Sequence, residues 1–424
     1  MNRQEMTDVV RRALEAASGF DATAVLRERR GATVRFGQNR ITQNCDTFRR
    51  ELELTMGRDG RKATATTHNT EPDSFADLAA GIRDQLATAP EDPEYMPPVE
   101  AGQVYPVVEA WDRETAGMVT AQRVEAAACA IETAAARDME AAGVSEASMH
   151  RTAIGTSTGN LAFHQRTHSE FRLTMDTGAG SSYRECSADA WGDLDVSRTV
   201  VEVADEANAS SGPKEPPEGE SSHVLLEPQA VADLLPFVIY SLNARLADEG
   251  VTVFSGMEGR RVSGERLTVG SRLNGPVKGR PFDEQGLPCR DATWIQEGVL
   301  REMLCDRFWA RKTGRPPLAS PGTFCMEGGD GHISQGLEQM REGLLIRRFW
   351  YLRFVDQKSL EITGMTRDGV FSVREGKVAD PVADFRWNWK PLELFSRIAW
   401  LGRPVPKGRL CVPPAVLEDA PLVM

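Results

Sequence analysis

The stretch Val224-Leu-Leu-Glu-Pro-Gln-Ala-Val-Ala-Asp-Leu-Leu-Pro-Phe-Val-Ile-Tyr-Ser-Leu-Asn-Ala-Arg-Leu246 decides how the second half of this chain is read. It opens as a short apolar strand, turns at a proline, and continues as an apolar run at helical spacing. Immediately before it, Ser211-Gly-Pro-Lys-Glu-Pro-Pro-Glu-Gly-Glu-Ser-Ser222 is polar, acidic and proline-rich, the composition of a linker. A domain boundary is therefore expected at 211–222, with one domain over 1–210 and another over 223–424. Two domains also suit 424 residues, which is long for one core.

Ahead of that linker, Met6, Val9, Val10, Ala13, Leu14 and Ala17 repeat at helical intervals. Strands are predicted at Ala22–Arg27, Ala32–Phe36, Arg49–Met56 and Lys62–Thr67. The breaks fall at Gly31, at Gly37-Gln38-Asn39 and at Arg58-Asp59-Gly60. A helix is predicted over Ser74–Thr88, followed by a proline-rich connector, Pro90–Pro98. A second helix is predicted near Ala121–Glu140, burying Val124, Ala127, Ala128 and Ile131. Four strands through Trp191 and a helix near Val196–Ser210 complete this half. Helix, strands, helix thus occurs twice, which predicts an α+β domain of two similar halves. Beyond the linker, short strands and turns dominate and six of eight tryptophans lie past residue 290, so a β-rich domain with a few helices is expected.

Bulk composition narrows the function. Hydrophobic residues make up 41% and charged residues 26%, the balance of a globular protein. No apolar run of about 18 residues occurs, so no membrane-spanning helix is predicted. The N-terminus lacks the apolar core of a secretion signal, which predicts a cytoplasmic location. A net charge of −12 repels a phosphate backbone and argues against nucleic acid as a partner. Seven scattered cysteines without a C-x-x-C pair read as free thiols.

Several short segments occur in an order that resembles the TldD/TldE (PmbA) family, whose zinc-bearing branch is metallopeptidase-related and whose members are associated with modulation of DNA gyrase. They are Val34–Gln43 and Pro90–Pro93 in the first half; the turn Pro281–Gly286; the hairpin Ile295–Leu300; and Leu304–Gly314. His332–Leu345, Gly369–Ser372 with Glu375–Lys377 and Pro381-Val382, and Leu394–Ile398, read as the last helix, follow in order. The zinc branch carries His-Glu-x-x-x-His on the helix quoted above. The resemblance places that motif at 236–241, where Pro236 and Ser241 stand at the histidine positions and Phe237 at the glutamate position. A catalytic zinc takes about three protein ligands plus a water, with a carboxylate to receive the water's proton. These residues supply neither, so no catalytic residue, metal or cofactor is expected. Cys411, in the neighbourhood of a further ligand of the zinc branch, reads as a buried thiol. His residues five apart sit about 140° apart on an ideal helix, so the resemblance implies a helix that bends or ends there, and Pro236 would permit a helix start instead.

The resemblance implies a TldE/PmbA-like subunit of a cytosolic peptide-degrading assembly, inactive alone. It would be a homodimer, or a heterodimer with a zinc-bearing homologue, forming a shared chamber with unfolded peptide as ligand. Two alternatives stay open: a hydrolase with a non-zinc site, and a non-catalytic binder of a peptide or regulator. For the hydrolase, Gly155-Thr-Ser-Thr-Gly159 matches G-x-S-x-G, but strand-like residues follow it, which predicts a hairpin. His164 and His168 share a face but lack a third ligand at metal spacing. Arg347–Phe354 interleaves basic and aromatic residues, the pattern of single-strand platforms; in an acidic chain it is expected to be a core or interface strand.

Overall fold

The computed structural model describes residues 1–422 except 217, 218 and 220, which removes part of the predicted linker 211–222 from description. Ten α-helices occur among the described residues: α1 (Arg3–Ala16), α2 (Ser74–Thr88), α3 (Arg113–Ala116), α4 (Thr120–Ala136), α5 (Val196–Ala209), α6 (Pro228–Ser241), α7 (Ala244–Asp248), α8 (Arg307–Thr313), α9 (Ile333–Met340) and α10 (Pro391–Phe395). The architecture is mixed α+β, as expected.

The first half builds one antiparallel sheet from β1 (Asp21–Gly37), β2 (Arg40–Arg58), β3 (Arg61–Thr67), β4 (Glu140–Thr156), β5 (Leu161–Asp176) and β6 (Ser181–Ala188). Its order is β3-β2-β1-β4-β5-β6, so two three-stranded meanders meet along β1 and β4. Each meander is preceded by one helix and followed by another, which makes the predicted duplication visible in the topology. One face of β1 serves both sets of helices. Ala22, Ala24 and Leu26 pack with α1 and α2, while Val34 and Phe36, on the same face by the period of two, pack with α4 and α5. The other face turns toward the second half of the chain: Val25 and Ile154 cluster with Ala162 and Phe282.

Four expectations are corrected here. Gly31 does not break β1; it pairs with Thr47 and Ser148 inside a continuous ladder, because neighbours on both sides satisfy its backbone. Three strands, not four, lie between α4 and α5. The buried stripe of α4 is Arg123, Ala126, Ala127, Ala130 and Ala134, rotated from the predicted one, since Arg123 turns inward to reach Asp46 at 2.9 Å. Leu394–Ile398 is only the end of α10 followed by a strand, Ile398–Leu401. By contrast, Asp59 and Gly60 both have positive φ (52° and 76°), the conformation a two-residue hairpin between β2 and β3 demands.

The second half holds two six-stranded sheets and a three-stranded one. The strand β7 (Ser221–Leu226) lies inside one six-stranded sheet, parallel to Gly343–Ile346 and antiparallel to Ala415–Pro421. One continuous core joins the three sheets and includes Trp294, Trp387 and Trp389, each at most 2% exposed. Lys214, within the predicted linker, is held to the second half through Pro381 O (2.9 Å) and Ala383 N (2.8 Å).

Candidate functional site

The helix α6 is the place to test the sequence reading, because its residues would carry the zinc motif. Pro228 stands at its first turn, where a missing N–H costs nothing and a fixed φ favours helix. Ala230, Val231, Leu234, Leu235 and Val238 are buried at helical spacing, which docks α6 into the second core. The helix therefore begins at Pro228, after the proline turn the sequence offers, and Pro236 lies in its interior, so the start that Pro236 would permit is not used. Tight burial of the flanking apolar stripe offsets the hydrogen bond that an internal proline removes.

The three motif positions diverge. Pro236 is exposed to solvent, Phe237 is half-buried, and Ser241 is 1% exposed. Phe237 packs edge-on against Phe354, with ring centroids 4.8 Å apart at 72°. The Ser241 hydroxyl donates to Phe237 O at 3.1 Å, one turn back along its own helix. A proline without a donor, a phenyl ring and a hydroxyl already used by the backbone do not fit a zinc ion. Cys411 is buried beside Cys325, its register partner on a parallel strand. His223 accepts from Asp419 N at 3.2 Å across the sheet. No group of three His, Cys, Asp or Glu side chains is placed to hold a metal among the described residues.

Sequence reasoning missed the one charged residue of α6. Asp233 accepts from Phe349 N (2.8 Å) and Gln229 Nε2 (3.0 Å), pinning α6 to the strand Phe349–Asp356. Burial pushes its carboxyl up to about 6, only partly opposed by those two donors. A lone acid in an apolar helix was the available signal. Also missed was a buried ion network at the N-terminus of α6. Glu227, the N-cap residue, lies 3.5 Å from Arg347 and 3.9 Å from Arg184, and both guanidiniums also contact Glu206 of α5. The network joins β6 and α5 of the first half to α6 of the second.

The other candidates separate widely. Ser157 occupies the hairpin between β4 and β5, where its exposed Oγ accepts from Ala22 N at 2.9 Å. That is the predicted turn and not a strand-to-helix elbow. His164 and His168 do share a face of β5. Yet the His168 ring is held 3.5 Å from Glu170, while His164 faces a cavity with its Nε2 buried and without a hydrogen-bond partner. The strand Phe349–Asp356 is an edge of the three-stranded sheet. Phe349 is buried, but Trp350, Tyr351 and Val355 are exposed (46%, 59% and 56%), so the interface expectation fits this segment and the core expectation does not.

Comparison with known proteins agrees with this architecture. Residues 219–421 match the PmbA/TldA metallopeptidase C-terminal domain. No curated protein matches the chain. Among solved structures, a candidate modulator of a DNA gyrase from Thermotoga maritima is similar at 20% identity, covering 99% of this chain and 100% of its own, with a TM-score of 0.87. A candidate modulator of DNA gyrase from Bacteroides thetaiotaomicron is similar at 16% identity, with coverages of 99% and 98% and a TM-score of 0.84. TldE from Thermococcus kodakarensis is similar at 15% identity, with coverages of 98% and 99% and a TM-score of 0.88. At such identities these likenesses speak to the fold.

Proposed function

Through residues 219–421 this chain belongs to the PmbA/TldD family, and on that premise we propose that it is a zinc-motif-lacking, TldE-like subunit of a cytosolic peptide-degrading assembly. The observation that carries the reading is the divergence of Pro236, Phe237 and Ser241 on α6. One faces solvent, one fills an aromatic contact, and one is sealed in the core, so α6 serves as packing. In this reading residues 1–210 and 223–424 are two domains joined by 211–222, and the chain pairs with a zinc-bearing homologue or with itself. The exposed edge strand Phe349–Asp356 supports such pairing. It offers unpaired backbone to which a strand could add, together with exposed Trp350 and Tyr351, residue types that anchor interfaces.

The test is reconstitution. The purified chain alone should leave an unstructured peptide intact and elute without stoichiometric zinc. Mixed with a zinc-bearing family member from the same organism, it should co-elute and support cleavage. Peptide hydrolysis by the lone chain, abolished by Ser157→Ala or His164→Ala, would replace this reading with the hydrolase alternative.

A further inference from the structure

Between the outer face of the first sheet and the turns of the second half lies a cavity of about 470 Å³, within the range of small-ligand sites. Its floor is one face of β1, β4 and β5, carrying Val25, Ile154, His150, His164 and Arg166. Its roof is Arg280–Glu284, Gly322 and Arg409. Two kinds of arginine line it. Arg27 and Arg280 are paired, both with Glu284, at 2.7 and 3.0 Å. Arg166 and Arg409 have no carboxylate within ion-pair distance among the described residues. Arg166 Nε and one terminal nitrogen of Arg409 are buried without any hydrogen-bond partner.

That arrangement is costly as it stands. Two guanidiniums face one space and repel each other, and each loses hydration there. Burial lowers the affinity of both for a proton, and Asp189 acts on them only from beyond ion-pair distance. The cavity's own acids are already engaged: Glu284 by Arg27 and Arg280, and Asp283 by the backbone N–H groups of Gln285 and Leu287. His150 and His164 add no countercharge: burial, reinforced by neighbouring arginines, pushes both down to about 4, so they are neutral at pH 7. A neutral imidazole still offers a donor, and the Nε2 of His164 is unused. Beside these polar groups stands a compact apolar wall of Val25, Ile154 and Phe282. Inorganic anions need no such wall; a molecule with an oxyanion at one end and an aliphatic body does.

We propose that this cavity binds the terminal carboxylate of a peptide, with Arg166 and Arg409 holding the carboxylate and Val25, Ile154 and Phe282 receiving the last side chain. Guanidinium–carboxylate pairing is bidentate and charge-assisted, which gives direction as well as affinity. The idea rests on the subunit reading above only for the choice of a peptide. Binding to the lone chain needs no partner, so its failure would leave the subunit role standing.

The experiment is isothermal titration of the full chain with acetyl-Ala-Leu-Leu as the free acid, with the same peptide as its C-terminal amide, and with inorganic phosphate. The free acid should bind saturably, and the amide and phosphate at least tenfold more weakly. Arg166→Gln and Arg409→Gln should each weaken the acid at least tenfold while leaving the amide unchanged. Arg409→Lys, which keeps the charge without the fork, should fall between. Equal binding of acid and amide, no binding of the acid, or phosphate binding as tightly as the acid would overturn the proposal. The acid–amide comparison on the unaltered chain decides it even if a variant fails to fold.

Discussion

Glu206→Gln tests whether the buried ion network couples the two halves of the molecule. Glu206 side-chain exposure is 15%, and its carboxylate contacts Arg184 and Arg347, whose side chains are 29% and 13% exposed. Removing one charge from a buried pair costs about 3–5 kcal/mol, because the partner charge stays desolvated. Glu227 remains within 3.9 Å of both guanidiniums, which places the cost near the lower end, about 3 kcal/mol. With an unfolding entropy of about 2.1 cal/mol/K per residue, a 424-residue cooperative unit loses roughly 3 °C in Tm. If each half melted alone as roughly 200 residues, the same cost would lower one transition by about 7 °C. Scanning calorimetry reads both the size of the shift and the number of transitions.

The pH dependence is a second readout of the same variant. Burial alone would raise the Glu206 carboxyl, but Arg347 and then Arg184 outweigh it and hold the group below the usual glutamate value. Its stabilisation is therefore complete above the unfolded value of about 4.3 and is lost as pH falls through the lower folded value. The wild type and Glu206→Gln should differ fully at pH 7 and converge in acid. A Tm difference under about 1 °C at pH 7, or one that persists unchanged to pH 3, would refute the reasoning.

Restoring the motif letters as Pro236→His, Phe237→Glu and Ser241→His should not yield stoichiometric zinc by elemental analysis, and should lower Tm because Ser241 has no room for an imidazole. Asp233→Asn should flatten the stability profile between about pH 4 and 6. The raised Asp233 carboxyl makes the wild type most stable below its unfolded value and less stable as pH rises toward about 6, a slope that chemical denaturation at several pH values would show the variant lacks. Trp350→Glu with Tyr351→Glu should abolish co-elution with a partner subunit while shifting Tm by about 1 °C or less, since both residues are exposed. Gly143→Ala should destabilise strongly in urea titration, because its new methyl would lie 2.2 Å from Arg172 O and 2.5 Å from the Phe36 ring.

Much of the fold was legible because its signals are local. The bounds of α2, the hairpin at Asp59-Gly60, the turn at Gly155–Gly159 and the Pro228 entry to α6 all follow from spacing or from φ preferences of single residues. Misreadings arose where a neighbour supplied what the sequence withheld. Gly31 stays in a strand because β2 and β4 flank it, and Pro236 stays in a helix because the second core grips both sides of it. At the candidate site, the residues that cannot hold zinc could be read as letters, but their divergence into solvent, aromatic contact and core could not.

The amino-acid sequence by itself determined the α+β character and the two-part organisation of the first sheet's elements, since each depends only on residue type and short-range spacing; the residues at 236–241 could be named from it, but their place in the zinc motif came from the family resemblance. Tertiary structure alone decided that Arg166 and Arg409, 243 positions apart, meet across one cavity, and that Glu206 and Arg347 close a network between the halves. Charges distant in sequence interact only once sheet pairing and core burial have brought them together, and desolvation then gives those meetings their energetic weight.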